Sequence, residues 1–102
     1  MTEGRHLNRL FANMMRGIIE NDGVECERVP EWFFPQGSNM EMLQVETNIA
    51  KAICNRCPIM HLCRDYAVAA EEPFGIWGGL TPNERRITKR KYVRKTENPQ
   101  QP

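Results

Sequence analysis

Four cysteines constrain what this chain can fold into more than any other feature of its sequence. Three of them lie within ten positions, in CNRCPIMHLC at 54–63, and the fourth, Cys26, lies far upstream. A chain of 102 residues forms one domain, and a core of that size leaves only roughly a few kcal/mol of net stability. A cross-link or a bound cofactor held by the thiols would therefore matter for folding.

The N-terminal sequence bears on the redox state of these thiols. MTEGRHLNRL lacks the basic segment followed by a long apolar segment that a secretory signal requires. Nowhere do about 18 apolar residues run together, as a membrane span would need. We therefore expect a cytoplasmic protein, where structural disulfides are rare and metal binding or redox chemistry is the favoured role of clustered cysteines.

The spacing of the cysteines favours a group larger than one metal ion. Cys54 and Cys57 form a C-x-x-C pair, which can present two sulfurs to one centre across a short turn. Cys63 follows six residues after Cys57, across a proline, and Cys26 comes from a distant segment. This arrangement suits the separated corners of an iron–sulfur cluster better than the two short knuckles of a zinc site. Zinc, a redox dithiol and disulfides remain alternatives, and His61 is a weaker ligand candidate.

Helical patterns dominate the first two thirds of the chain. Apolar residues from Leu7 to Ile19 recur at helical spacing over about 14 residues, and Asn21-Asp22-Gly23 ends that pattern. Ser38-Asn39-Met40-Glu41 reads as a capping box that starts a second helix. We expect that helix to reach Cys54 with one apolar face toward the core, formed by Met42, Val45, Ile49, Ala52 and Ile53.

Two further helices are predicted downstream. Pro58 is well placed as the first residue of a third helix, whose apolar face includes Cys63 and which Glu71-Glu72-Pro73 ends. Thr81-Pro82-Asn83-Glu84 is a second capping box, now with proline at the first helical position, and it starts a fourth helix. No segment shows the alternation of a strand. The sequence therefore predicts an all-α fold, a small bundle of about four helices.

Charge is distributed unevenly along the chain. Residues 1–84 carry seven basic and twelve acidic side chains, whereas residues 85–102 carry seven basic and one acidic. All seven of these basic residues lie in RRITKRKYVRK, 85–95, which is the composition of a segment that faces polyphosphate. A solvated, charged helix end is the simpler reading. The candidate nucleic-acid-binding residues are Arg85, Arg86, Lys89, Arg90, Lys91, Arg94 and Lys95.

Two aromatic segments are expected to pack either against the core of the domain or against a partner protein. VPEWFFPQG, 29–37, has prolines that disfavour helix on either side of three consecutive aromatic residues. FGIWGG, 74–79, has three glycines, which indicate positive φ angles or close backbone approach. Such aromatics either complete the core or anchor a protein interface.

Taken together and in order, Cys26, WFFP at 32–35, the C-x-x-C-P-x4-C segment at 54–63 and GIWGG at 75–79 followed by a basic helix closely resemble the WhiB-like family of actinobacteria and their phages. The resemblance implies that Cys26, Cys54, Cys57 and Cys63 bind a [4Fe-4S] cluster, around which the helices pack. It also implies that the protein binds the C-terminal domain, region 4, of the primary sigma factor of RNA polymerase.

By motif position, the residues that resemble sigma contacts are Phe33, Phe34 and Trp77, with Gly75, Gly78 and Gly79 holding the turn of Trp77. The resemblance further implies that the basic C-terminal segment contacts promoter DNA, that redox state or nitric oxide is sensed, and that the protein is monomeric until it binds sigma. It predicts a regulator and no enzyme. A thiol-disulfide oxidoreductase using the C-x-x-C pair and a zinc-held interaction module are the rival hypotheses.

These features divide the chain into four predicted parts. Residues 1–24 form an amphipathic N-terminal helix, 25–80 the cysteine-containing core, 81–95 the basic helix, and 96–102 a disordered tail.

Overall fold

The computed structural model describes residues 2–97, and their side chains from residue 4 to residue 92. It confirms the predicted all-α class with four helices, and the described part of the chain has no strand, only an isolated bridge between Trp77 and Leu80. The helices are α1 (Thr2–Glu20), α2 (Met40–Asn55), α3 (Met60–Ala70) and α4 (Pro82–Glu97), and short 3-10 segments cover Glu25–Glu27 and Pro30–Phe33.

Helix α1 begins at Thr2, five residues before the first apolar residue of the predicted stripe, and it packs on α3. Met14 is buried, and Gly17 lies so close to α3 that a Cβ there would come within 2.7 Å of the Ile59 side chain. The helix ends as predicted at Asn21-Asp22-Gly23, where Asp22 and Gly23 both adopt positive φ. A small residue therefore sets how closely α1 approaches the cysteine-bearing helix.

Helix α2 corrects two predictions. Its N-cap is Asn39 rather than Ser38, because the Asn39 side chain accepts a hydrogen bond from the Met42 amide at 2.9 Å. Its buried residues are Ala50, Ile53 and Cys54. Of the predicted core face, only Ile53 is buried, whereas the side chains of the other four are exposed: Met42, Val45, Ile49 and Ala52.

Helix α3 begins two residues later than predicted. The Cys57 amide donates to the Cys54 carbonyl at 3.0 Å, and the Met60 amide donates to the Cys57 carbonyl at 3.3 Å. Pro58 lies within the second of these turns, so α3 begins at Met60 and not at the proline. It ends as predicted, with Glu71 in the left-handed conformation.

The capping box of α4 is confirmed. The Thr81 amide donates to Glu84 Oε1 at 2.9 Å, and the Glu84 amide donates to Thr81 Oγ1 at 3.1 Å. Lys51 of α2 pairs with Glu84 at 2.8 Å, so the start of α4 is tied to α2. The helix continues to Glu97, within the predicted tail, and the rest of that tail, 98–102, lies outside the described residues.

The core has two parts, and the cysteines contact both. One part contains Phe33, Ala50, Ile53 and Ile76 together with Cys54, and the other contains Met14, Val24 and Ile59. Cys26 packs against both parts. The cysteines therefore lie where the two small apolar clusters meet. None of the described helices combines the length and the apolar character that crossing a membrane demands.

Candidate metal centre

All four cysteines line one cavity. It has a volume of about 300 Å³, and its remaining walls are almost entirely apolar. Cys26 comes from the first 3-10 segment, Cys54 from the last turn of α2, Cys57 from the turn that follows it, and Cys63 from α3. All four are free thiols. The fold thus brings Cys26, from a distant segment, to the cavity that Cys54, Cys57 and Cys63 also line.

Burial and mutual repulsion shape the acidity of these thiols. Burial raises the pKa of Cys26 to about 11 and that of Cys63 to about 12, with the neighbouring cysteines adding to the rise. Burial also raises the pKa of Cys54, although the amides of Gly79 and Gly78 act in the opposite direction. These shifts show that thiolates at this place need compensating positive charge, which iron or zinc supplies.

The four cysteines are the metal-ligand candidates that the structure brings together. Within residues 4–92, no group of three or more His, Cys, Asp or Glu side chains is arranged to hold a single metal ion. His61, the weaker ligand candidate, is exposed and does not line the cavity. Four soft sulfur donors around an apolar cavity match the ligand sets of an iron–sulfur cluster and of a structural zinc site.

The glycine–tryptophan turn forms one wall of this cavity, and Trp77 and Gly78 both line it. Gly75, Gly78 and Gly79 all adopt positive φ, as their number in the motif predicted. Gly78 packs directly on α3, because a Cβ there would come within 2.5 Å of the Arg64 Cα atom. The Arg64 Nε atom donates to the Gly78 carbonyl at 2.8 Å. The turn is thereby fixed against the helix that carries Cys63.

The aromatic residues divide into buried and exposed groups. Phe33, predicted to contact a partner, is only 5% exposed and belongs to the core, which corrects that prediction. Phe34 is 45% exposed and lines the cavity with the half-buried Trp77. Phe74, which sequence reasoning did not select, is 72% exposed, and its carbonyl accepts from Trp77 Nε1 at 3.1 Å. Its place directly before the glycine turn was the signal available in the sequence.

Arg85 corrects a second prediction. Its side chain is only 2% exposed, so it cannot contact DNA as its basic neighbours suggest. The guanidinium donates to the carbonyls of Glu72, Phe74, Gly75 and Leu80 at 2.7–3.1 Å. Burial lowers the pKa of this group, while the Glu72 carboxylate acts in the opposite direction. Arg85 therefore joins α4 to the turn that carries Trp77.

The other basic residues of α4 differ in how exposed they are and in whether they already contact the rest of the protein. Arg86, Arg90 and Lys91 are exposed. Lys89 is partly engaged, since its Nζ atom donates to the Ala69 carbonyl at 3.1 Å and pairs with Glu71 at 3.2 Å. The side chains of Arg94 and Lys95, also predicted to contact DNA, lie outside the described residues.

Known proteins are similar to this chain in sequence. The sequence model of the family described as "Transcription factor WhiB" matches residues 21–87. Transcriptional regulator WhiB2 of Mycobacterium tuberculosis is 48% identical over 64 residues, which are 63% of this chain and 65% of the relative. Redox-responsive transcriptional regulator WhiB3 of Mycolicibacterium smegmatis is 35% identical over 82 residues, 80% of each chain.

Transcriptional regulator WhiD of Streptomyces coelicolor is 43% identical over 54 residues, which are 53% of this chain and 48% of the relative. The chain thus spans somewhat less than two thirds of the length of WhiB2. These relatives carry names of transcriptional regulators and not of enzymes.

Proposed function

Since this chain is a member of the WhiB family of transcription factors, we propose that it is an iron–sulfur transcriptional regulator that binds region 4 of the primary sigma factor and contacts promoter DNA. The observation that carries the proposal is the single cavity lined by all four cysteines, with exposed aromatic residues at its edge. We also expect the protein to act in the cytoplasm and to be monomeric until it binds sigma.

Cys26, Cys54, Cys57 and Cys63 are the proposed ligands of a [4Fe-4S] cluster. When bound, such a cluster supplies iron that oxidants or nitric oxide can attack, together with positive charge that keeps the thiolates deprotonated. The protein supplies the apolar walls, and the amides of Gly78 and Gly79 act to lower the pKa values of the Cys63 and Cys54 thiols against the effect of burial. Hydrogen bonds to sulfur and solvent exclusion are two means by which proteins tune such groups.

The proposed sigma-binding surface consists of Phe34, Phe74 and Trp77. These side chains lie on two loops that meet, because the Ile76 amide donates to the Phe33 carbonyl at 2.7 Å. Gly75 allows this approach, since a Cβ there would come within 2.7 Å of the Phe34 ring. Phe33, buried beneath, supports the surface without belonging to it. Aromatic anchors of this kind dominate the energetics of many interfaces.

The sigma interaction can be tested with single substitutions. Trp77→Ala and Phe34→Ala should each weaken binding of the anaerobically purified protein to isolated sigma region 4 by at least about tenfold. This loss is expected for aromatic anchors that a partner covers on binding. Ile19→Ala, at an exposed apolar residue of α1, is the matched control and should leave binding unchanged. Equal affinities for all four proteins in fluorescence anisotropy would remove the aromatic surface from the interface.

DNA contact is assigned to α4. Arg86, Arg90 and Lys91 are exposed and carry this proposal, and Arg94 and Lys95 extend it by sequence alone. Each phosphate that these residues neutralise would release counterions and add affinity that does not depend on sequence.

The rival oxidoreductase hypothesis receives no support from the thiols. Catalytic dithiols have lowered pKa values, whereas burial raises the pKa of Cys54.

A further inference from the structure

Helix α2 leaves an apolar seam uncovered by the rest of the described chain. Met42, Val45 and Ile49 are 47%, 49% and 46% exposed, and Ala52 is exposed beside them. Their spacing of three, four and three residues is that of alternating a and d positions in a coiled coil. The seam is about 15 Å long at 1.5 Å per residue, long enough for a partner helix to cross or run along it.

A groove continues the seam on one side. It lies between α2 and the loop after the second 3-10 segment, and its volume is about 480 Å³. Its walls are Glu31, Trp32, Phe34, Pro35, Gln36, Glu46 and Ile49. Only Phe34 also lines the cysteine cavity, and neither Trp77 nor Gly78 contributes to the groove. A protein bound at Phe34 and Trp77 would therefore share Phe34 with the groove without having to cover the α2 seam.

Acidic side chains border the seam and the groove. In the heptad register set by Met42 and Val45, Glu41 occupies a g position and Glu46 an e position, where charges select the partner helix. Glu31 adds a third carboxylate at the groove wall. Glu46 is held in place, because its carboxylate accepts from the amides of Gln36 and Gly37 at 2.9 and 3.1 Å. Within the side chains that the structure describes, no Lys or Arg lines this groove, and Glu31 and Glu41 form no ion pair.

We propose that the α2 seam, formed by Met42, Val45, Ile49 and Ala52, binds a basic amphipathic helix of a second protein, distinct from the domain that docks at Trp77. Apolar residues of that helix would cover Val45 and Ile49, and lysines or arginines beside them would pair with Glu41 and Glu46. A second copy of this chain fits poorly, because parallel pairing of two seams places Glu41 of one opposite Glu46 of the other, and like charges there destabilise the pair. The distinction from the domain at Trp77 rests on the proposed function, whereas the apolar and acidic character of the seam does not.

The test uses two synthetic helical peptides with leucine at every a and d position. One carries lysine at e and g, and the other carries glutamate. Binding to the full chain, purified anaerobically, is measured by fluorescence anisotropy. The lysine peptide should bind at least about tenfold more tightly than the glutamate peptide, since opposite charges at these positions set partner choice.

Variants locate the binding on α2. Val45→Asp and Ile49→Asp should each weaken the lysine peptide by at least about tenfold. Met40→Asp, on the same helix at an f position and 81% exposed, is the matched control and should bind as the unaltered protein does. Glu41→Lys combined with Glu31→Lys should reverse the preference between the peptides, and both sites are exposed, so folding is not at risk.

Four results would overturn the proposal. Equal affinities for the two peptides, or binding that Val45→Asp does not weaken, would show that the seam selects no basic helix. Displacement of the lysine peptide by sigma region 4 would assign the seam to that domain instead of a second protein. Self-association in sedimentation velocity that Val45→Asp abolishes would make a second copy the occupant.

Discussion

The roles of Arg85 and Phe33 cannot be predicted from their residue types. Arg85 stands in a run of basic residues, yet its guanidinium donates to four backbone carbonyls inside the fold. Phe33 stands beside Phe34 in the same motif, yet one is buried and the other exposed. Neighbouring residues share a composition but not an orientation. A sequence motif therefore locates a surface without saying which of its members form it.

Arg85→Gln should destabilise the protein by about 3 kcal/mol, because it removes charged hydrogen bonds and leaves buried carbonyls without donors. Arg86→Gln is the matched control. The side chain of Arg86 is exposed and makes one hydrogen bond of 3.3 Å to Asn83, so its loss should cost less than about 0.5 kcal/mol. Urea denaturation under anaerobic conditions measures both. A similar, small effect of the two substitutions would mean that Arg85 does not brace the turn.

Gly78→Ala tests the packing of the turn against α3. The substitution should cost at least about 2 kcal/mol, because alanine is disfavoured at the positive φ of this residue and its Cβ meets the Arg64 backbone. Gly4→Ala in α1 is the control, since no atom lies within 4 Å of the added Cβ. Thermal unfolding compares them. A protein with alanine at 78 that melts at the temperature of the unaltered chain would contradict the proposed close approach.

At the scale of elements, the four helices were predictable because caps and periodicity are local properties. The capping box at Thr81 and Glu84 formed as the sequence indicates. The orientation of α2 was not predictable, because its apolar residues cover more of the helix than the small core can bury. Ala50 and Cys54 face inward and Val45 and Ile49 face outward. Periodicity gives the apolar arc of a helix, while tertiary packing decides which part of it is covered.

The start of α4 should respond to acid. Burial of Glu84 acts to raise its pKa, but hydrogen bonds from Lys51 and Thr81 outweigh that effect and lower it below the usual 4.5. A group with a lowered folded pKa contributes stability above the unfolded pKa and loses it as the pH falls through the folded pKa. Below about pH 4.5, the free energy of unfolding of the unaltered protein should therefore fall by up to about 1 kcal/mol as Glu84 becomes protonated. Glu84→Gln keeps the cap geometry but carries no charge, so it lacks this contribution at every pH.

Unfolding midpoints between pH 7 and pH 3 measure this difference. The gap between the unaltered protein and Glu84→Gln should narrow as the pH falls. Glu20→Gln, at the exposed end of α1, is the control for removal of one surface carboxylate. A gap that stays constant across this range would show that Glu84 does not contribute through its charge.

Helix α4 also carries the DNA proposal. Replacing Arg86, Arg90 and Lys91 together with glutamine should weaken DNA binding and reduce the slope of log affinity against log salt by up to about 2.7, at about 0.9 per lost phosphate contact. The matched control replaces three exposed arginines of α1, Arg5, Arg9 and Arg16. If both triple variants lower the slope equally, net charge and not α4 accounts for the binding.

At the scale of the whole molecule, the cysteines join elements that otherwise share little core. Two small apolar clusters meet at Cys26, and the four thiols surround one cavity between them. Spacing alone favoured a cluster but left zinc open, and the resemblance to a family supplied the ligand set. The spacing could not show how the fold brings Cys26 to the other three cysteines, because distance along the chain says nothing of distance in space.

Iron and acid-labile sulfide content of the anaerobically purified protein tests the central claim most directly. A [4Fe-4S] cluster on Cys26, Cys54, Cys57 and Cys63 predicts a brown protein with about four iron and about four sulfide per chain. Cys63→Ser should lower the iron content and the sulfide content together. Colourless protein that contains stoichiometric zinc and no sulfide would contradict the claim.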